Sequence, residues 1–493
     1  MTFNLSNYAH QVLTTKFGPD PLARAAQIFA EQTAITDGVT KLNFQELNHL
    51  VNQALDTLNQ ILPKDVGTLK RPLIFRAIPT IDYLVLLLAC FRSGRTFIPC
   101  SAKNTATENE AICKALNAFY LDLVLWTQTT AQNNAQQKNS KSATIAALDI
   151  DYTKPINIML SSGSTGTPKK IVHNLKAHIL SAVGAESGLE LKTHDRYLLS
   201  LPLNHVGGQA IVFRALLSGA TIVLPLDARA SNLALKIKEM GVTVMSLVPT
   251  QLLRLINDPK APLNTSKVRA VILGGAPITI KLVKKLQDLC PKLKLFATYG
   301  MTETAAQVCT SEISLEQDVI RAQPLPFHEV KICAGEILIK GPTIACGLLI
   351  EGHINPITDP NGFLHTGDLG ELSPQGLSIK GRRDNMFISG GENICPETIE
   401  KVLLSIEGIE ACVIVPIPDE TWGHVACAII KTKLSLAFIK EKLQPKLNAI
   451  YIPKIFLPWP NQLDNNLKIK RQEFIRYAQN KLTNNWLFVH ICG

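Results

Sequence analysis

Ser161-Ser162-Gly163-Ser164-Thr165-Gly166-Thr167-Pro168-Lys169 is a run of small, hydroxylated and flexible residues that ends in a cation. Glycine lets backbone N–H groups converge on phosphate oxygens, Ser and Thr add donors, and Lys169 supplies positive charge where the loop turns. The apolar residues before it, Ile156, Ile158, Met159 and Leu160, read as a buried strand that feeds the loop. Strand and loop together suit a triphosphate. The P-loop NTPase motif is excluded, because it needs Gly-Lys-Ser/Thr, whereas Pro168 precedes Lys169 and Lys170 follows it.

Outward from this loop the texture is that of an α/β protein. Short apolar segments at Tyr197 to Leu201, Thr221 to Leu224, Val242 to Leu247, Ala270 to Leu273 and Leu293 to Ala297 alternate with amphipathic segments at 229 to 240 and 279 to 289. Such alternation predicts layers of helices on largely parallel sheets. After residue 330 the strands shorten and Gly, Pro and Asn turns multiply, as far as Gly381. The remaining residues read as a small α+β unit with helices near 396 to 405 and 435 to 447. Residues 127 to 142 carry almost no large apolar side chains and read as a surface connection.

With 493 residues, two or more domains are the prior expectation. A chain that is 46% hydrophobic and 18% charged has the balance of a globular enzyme. The longest apolar run, Tyr83 to Phe91, stops at Arg92, far short of the ~20 residues of a membrane span. The N-terminus lacks a basic region followed by an apolar one, so no secretory signal is read and a cytoplasmic location is expected. Eleven cysteines without any Cys-x-x-Cys pair suggest neither a disulfide framework nor a zinc site. The net charge of +10 is spread along the chain rather than gathered in a basic stripe, which argues against a nucleic-acid partner. That surplus suits polyanionic small molecules.

Five motifs follow one another along the chain: Ser162 to Lys169; Tyr299-Gly300-Met301-Thr302-Glu303; Thr366-Gly367-Asp368; Gly381-Arg382-Arg383-Asp384; and Lys468-Ile469-Lys470-Arg471. In order and spacing they resemble the adenylate-forming superfamily of acyl-CoA synthetases, peptide-synthetase adenylation domains and luciferases. The resemblance covers roughly residues 20 to 480. It implies a large N-terminal domain, 1–381, of layered sheets and helices with a small β-barrel-like subdomain, and a small mobile α+β C-terminal domain, 382–493.

The resemblance also implies roles. Ser162, Gly163, Ser164, Thr165, Gly166 and Lys169 would cradle the ATP phosphates, and Gly274, Ala276 and Pro277 would approach the adenine. Tyr299 and Gly300 would form the adenine platform, Thr302 would contact phosphate, and Glu303 would hold Mg²⁺, a hard cation that takes oxygen ligands. Asp368 would accept both ribose hydroxyls and Arg382 would reach phosphate. Lys468, with Lys470 as the alternative register, would swing in to bridge the acid and the α-phosphate. Asp384 would be the hinge on which the C-terminal domain rotates, and Gly390 would present its backbone to the pantetheine arm of CoA.

The phrases Leu198 to Gly208, Gln209, Phe213-Arg214, Ser246 to Leu252 and Trp422-Gly423-His424 resemble the o-succinylbenzoate CoA ligase group of menaquinone biosynthesis. The C-terminal Lys-Ile-Lys-Arg-Gln, preceded by Leu467 where most relatives carry glycine, also resembles that group; departures from it are Asn204, where relatives usually carry an aromatic residue, and Gly207, where serine is frequent. A dicarboxylate fits a further feature. Only one of its carboxylates reacts, the other needs a partner, and Arg214 lies on the otherwise apolar stretch Ala210 to Leu217. His205 and Gln209 would line the same acid pocket. The expected activity is ATP-dependent ligation of a small-molecule acid to CoA. A ligase for another aryl or medium-chain fatty acid, and a nucleotide-binding regulator without catalysis, stay open, as does a homodimer.

Overall fold

The computed structural model describes residues 9, 11–14, 18–129, 149–161, 168–225, 230–257, 263, 266–314, 319–460 and 470–484. Two large sheets dominate. In one, Arg196–Leu198, Thr221–Val223, Val244–Leu247, Ala270–Leu273 and Lys294–Tyr299 form a parallel centre, and Cys309–Glu312 continues it antiparallel. In the other, Phe97–Cys100 and Leu73–Arg76 run parallel beside the hairpin of Pro155–Ser161 and Lys169–Asn174.

Strand alternation shows how the layers stack. Val244, Ala270 and Ile272 face a core shared with Leu73, Phe75, Phe97 and Ile156 of the second sheet. Met245, Leu247, Val271 and Leu273 face the opposite way, into a core with Ile237, Leu252, Val283 and Leu286 from three amphipathic helices. Between the sheets run Ile81–Ser93, Leu175–Leu189 and Val206–Ser218. A helix covered on all sides must be apolar all round, and Tyr83 through Arg92 are all buried. Thr80 caps its first turn and Gly94, at φ 65°, ends it. Its one interior cation, Arg92, bonds to Asp20, Asn48 and Asn52.

A four-stranded antiparallel sheet follows, made of Glu329–Cys333, Glu336–Lys340, Leu364–Ser373 and Gly376–Arg382. Beyond it, Ile409–Asp419, Gly423–Thr432 and Ile455–Pro458 form a sheet with its own two cores. Cys412, Ile414 and Ala428 pack against Pro396–Ser405 and Leu436–Leu443, whereas Val413, Val415 and Ile429 pack against Arg471–Asn484.

Two elements stop three or more residues before their expected ends. The strand at 197 to 201 ends at Leu198, where Ser200 turns its hydroxyl onto the Ser246 carbonyl. The helix at 435 to 447 ends at Leu443: Gln444 keeps helical dihedrals, but Pro445 has no N–H to continue the hydrogen-bond ladder. The connection at 127 to 142 lies outside the described residues from 130 onward.

Candidate active site

Parallel strands deliver their carboxyl ends side by side, and this is where ligands bind in such sheets. Leu247, Leu273 and Ala297 are in register. The loops that follow them, together with the loop after Leu198, carry Ser200 to His205, Val248 onward, Gly274 to Pro277 and Gly300 to Glu303. These four loops therefore open on one edge.

The groups expected to take the nucleotide are held by side-chain bonds. Tyr299 donates to Oδ2 of Asp368 at 2.7 Å, and Arg382 donates through Nη1 to Oδ1 of Asp368 at 2.9 Å and through Nη2 to Asp384 at 3.2 Å. Burial pushes the Asp368 carboxyl above its usual value, against the pull of Arg382 and Tyr299. Burial and the adjoining carboxylate raise the Tyr299 phenol, so it stays a donor. The turn that aims Asp368 is built by Gly367, at φ 70°, and by Thr366, whose hydroxyl bonds to the Ile337 carbonyl at 2.7 Å.

Gly300 is required by space: a Cβ there would lie 1.6 Å from the Ala306 carbonyl oxygen. The close approach folds Thr302–Thr304 into a 3₁₀ turn, and the Ala345 N–H fixes the Glu303 carbonyl at 2.8 Å. Gly274 lies against Thr298, where a Cβ would come within 2.3 Å of Oγ1, and Gly275 adopts φ 73°. Ala276 is half-buried and Pro277 exposed on the same loop. Ser162 to Gly166 lie outside the described residues, but Ser161 and Lys169 are paired across the hairpin, so the loop starts and ends at one point. Lys169 is exposed there.

Of the residues expected to line the acid pocket, His205 occupies the N-cap of Val206–Ser218 and is exposed. Arg214 is 2% exposed and donates to the Tyr197 hydroxyl at 3.3 Å. Gln209 is fully buried. Its amide accepts from Asn157 at 2.5 Å and donates to the Leu203 carbonyl at 3.2 Å, so it ties the helix to the strand that enters the phosphate loop.

Asp384 stands in the turn Arg383–Asn385. Gly390 adopts φ 54° and donates its N–H to the Trp422 carbonyl at 2.9 Å, and a Cβ there would meet the Trp422 ring at 2.4 Å. Lys468 lies outside the described residues.

Three groups were not singled out from sequence. Glu336 receives the Gly367 N–H at 2.9 Å and pairs with Arg383 at 3.0 Å, joining the Asp368 turn to the turn that carries Asp384. Its only sequence signal is an acid at the start of an apolar strand. Tyr197 bonds to Arg214. His173, fully buried beside His178 with ring centroids 5.2 Å apart, has a pKa lowered to about 4 by burial.

The profile of AMP-binding enzymes matches residues 22–349. The 2-succinylbenzoate–CoA ligase of Escherichia coli (strain K12) is 36% identical over 334 residues, which cover 66% of this chain and 70% of that one. Among solved structures, the o-succinylbenzoate CoA synthetase from Bacillus subtilis in complex with the acyl-adenylate intermediate OSB-AMP superposes with a TM-score of 0.75 at 25% identity, covering 92% of this chain and 98% of that one. The Bacillus subtilis enzyme in complex with ATP and magnesium ion superposes with a TM-score of 0.74 at 25% identity, covering 89% and 95%.

Proposed function

This chain belongs to the AMP-binding enzyme family, and from that premise we propose that it ligates 2-succinylbenzoate to CoA with ATP, in menaquinone biosynthesis. It is an AMP-forming acid–thiol ligase. A carboxylate is a poor electrophile, so its oxygen first attacks the α-phosphorus of ATP and pyrophosphate leaves. The CoA thiol then attacks the acyl carbon, the thioester forms, and AMP leaves with the bonding electron pair.

In this reading Asp368, aimed by Gly367 and held by Arg382, takes the ribose hydroxyls, and Tyr299 lies along the adenine. Lys169 and the 162–166 loop receive the phosphates, with Thr302 beside them. Lys468 neutralises charge as the α-phosphorus becomes pentacoordinate. Glu303 suits Mg²⁺, since one carboxylate completed by substrate phosphates is a usual magnesium environment, and no cluster of three or more His, Cys, Asp or Glu that could hold a metal is found among the described residues. The ion supplies charge neutralisation on the phosphates when bound.

The observation that carries the choice of acid is Arg214: a guanidinium buried to 2% exposure with no carboxylate paired to it among the described residues. A second, unreacting carboxylate on the substrate supplies that charge. The test is acid-dependent pyrophosphate release, followed by CoA-dependent thioester formation, over 2-succinylbenzoate, benzoate, other aryl acids and medium-chain fatty acids. Turnover should be best with 2-succinylbenzoate. Preference for a monoacid would replace this reading with the broader ligase, and no release with any acid would leave a nucleotide-binding regulator.

A further inference from the structure

A guanidinium cannot shed its proton, so a buried one is held by acceptors or by an anion. Arg214 has one protein acceptor among the described residues: Nη1 donates to the Tyr197 hydroxyl oxygen at 3.3 Å. Its Nε is buried without a hydrogen-bond partner, and Nη2 makes no hydrogen bond among the described residues. The Tyr197 hydroxyl in turn lies 2.6 Å from Oγ of Ser246. Either hydroxyl can donate in that pair, and in both cases Ser246 fixes the Tyr197 hydroxyl that accepts from Arg214. Both hydroxyls come from neighbouring parallel strands, where Val244 pairs with Tyr197, and both residues are buried.

The consequence is directional. A guanidinium offers two parallel N–H donors along its Nε–Nη2 edge, the geometry that takes a carboxylate in bidentate fashion. With Nη1 pinned by Tyr197, that edge alone remains open. We infer that Tyr197 is a positioning residue for acid selection, holding Arg214 so that the enzyme favours acids that bear a second carboxylate, with Ser246 orienting the Tyr197 hydroxyl. The inference rests on the reading above that Arg214 meets the unreacting carboxylate.

The alternative is that the Tyr197–Ser246 pair merely satisfies polar groups between sheet and helix. Steady-state adenylation by Tyr197→Phe, which keeps the ring and removes the hydroxyl, separates the two. For 2-succinylbenzoate KM should rise roughly 10-fold with kcat within about 2-fold, the scale of one charged hydrogen bond lost in the pocket. For the analogue whose unreacting carboxylate is converted to an amide, KM should be unchanged. Ser246→Ala should shift KM in the same direction by less, and carries the comparison if Tyr197→Phe does not fold. Equal KM shifts for the diacid and its monoamide, or no shift for either, would overturn the inference. Should the wild-type enzyme not use 2-succinylbenzoate, the proposed function falls. The inference is then decided by the same comparison on the diacid and monoamide pair that it does use, and a wild-type enzyme that uses no diacid overturns both.

Discussion

The phenolic oxygen of Tyr299 sits 2.7 Å from Oδ2 of Asp368, while the other oxygen of that carboxylate is held by Arg382 at 2.9 Å. One carboxylate is thus oriented from both sides, with one group from the parallel sheet and one from the four-stranded sheet. Tyr299→Phe keeps the ring that would lie along adenine and deletes one anchor. The bond is to a charged acceptor, so roughly 1.5–3 kcal/mol of nucleotide affinity should be lost. ATP titration of pyrophosphate exchange should show KM raised about 10- to 100-fold. An unchanged KM would separate Asp368 from the nucleotide.

Lys468→Ala tests the adenylation step. Loss of one well-aimed electrostatic donor costs at least ~10²-fold in rate. Adenylate formation should slow by that much, while thioester formation from pre-made acyl adenylate should change little. Equal losses in both half-reactions would make the lysine structural or move the role to Lys470.

Buried histidines set an acid limit on stability. Burial lowers the His173 and His328 pKa values to about 4 and takes His178 well below its ordinary 6.5. In the unfolded chain each protonates near 6.5, so as pH falls from there toward 4 the unfolded state takes up protons that the folded state refuses. Stability is complete above pH 6.5 and declines below it, by roughly 3 kcal/mol for His173 alone by pH 4. The melting temperature should therefore drop steadily across this window. His173→Asn should flatten the slope there, and an unaltered slope would show that His173 carries no such linkage.

How much could be read from the chain depended on whether chemistry left a local trace. Tyr299, Gly300 and Asp368 were named from the motifs that resemble the adenylate-forming superfamily, and each stands beside a glycine that the local backbone requires, Gly300 by space and Gly367 by its φ of 70°. Gln209 was placed in the acid pocket from its position in a phrase, but a helix covered on all sides turns some polar residues inward, and its amide is engaged with Asn157 and Leu203. Tyr197 and Ser246 were invisible as a pair. Each sits in an ordinary apolar strand, and only the parallel register brings their hydroxyls together. Glu336 was likewise silent, because its partners Gly367 and Arg383 lie 31 and 47 residues further along the sequence.

The same Glu336 sharpens the hinge assignment. Arg383 is held to Glu336 at 3.0 Å, a carboxylate whose side chain is 6% exposed. On the other side, Asn385 donates to Glu397 at 2.5 Å, and Glu397 belongs to the helix Pro396–Ser405 that packs in the C-terminal core. Between these two anchors stands one residue, Asp384, whose own side chain makes, among the described residues, only an exposed pair with Arg382 at 3.2 Å. Exposed pairs of this kind contribute about 0–1 kcal/mol, so they resist rotation little. ATP phosphates and the CoA thiol cannot occupy one place, and a rotation about Asp384 would serve each in turn. Proline at 384 fixes φ near −65° and should hinder that rotation. Asp384→Pro should release pyrophosphate in a single turnover, while CoA-dependent release of AMP and thioester falls roughly 10²-fold or more beyond any loss in the first step. A melting temperature close to wild type would confirm that folding is intact, and solution scattering should show a single orientation of the C-terminal domain. Thioester formed from isolated adenylate at the wild-type rate would withdraw Asp384 as the hinge.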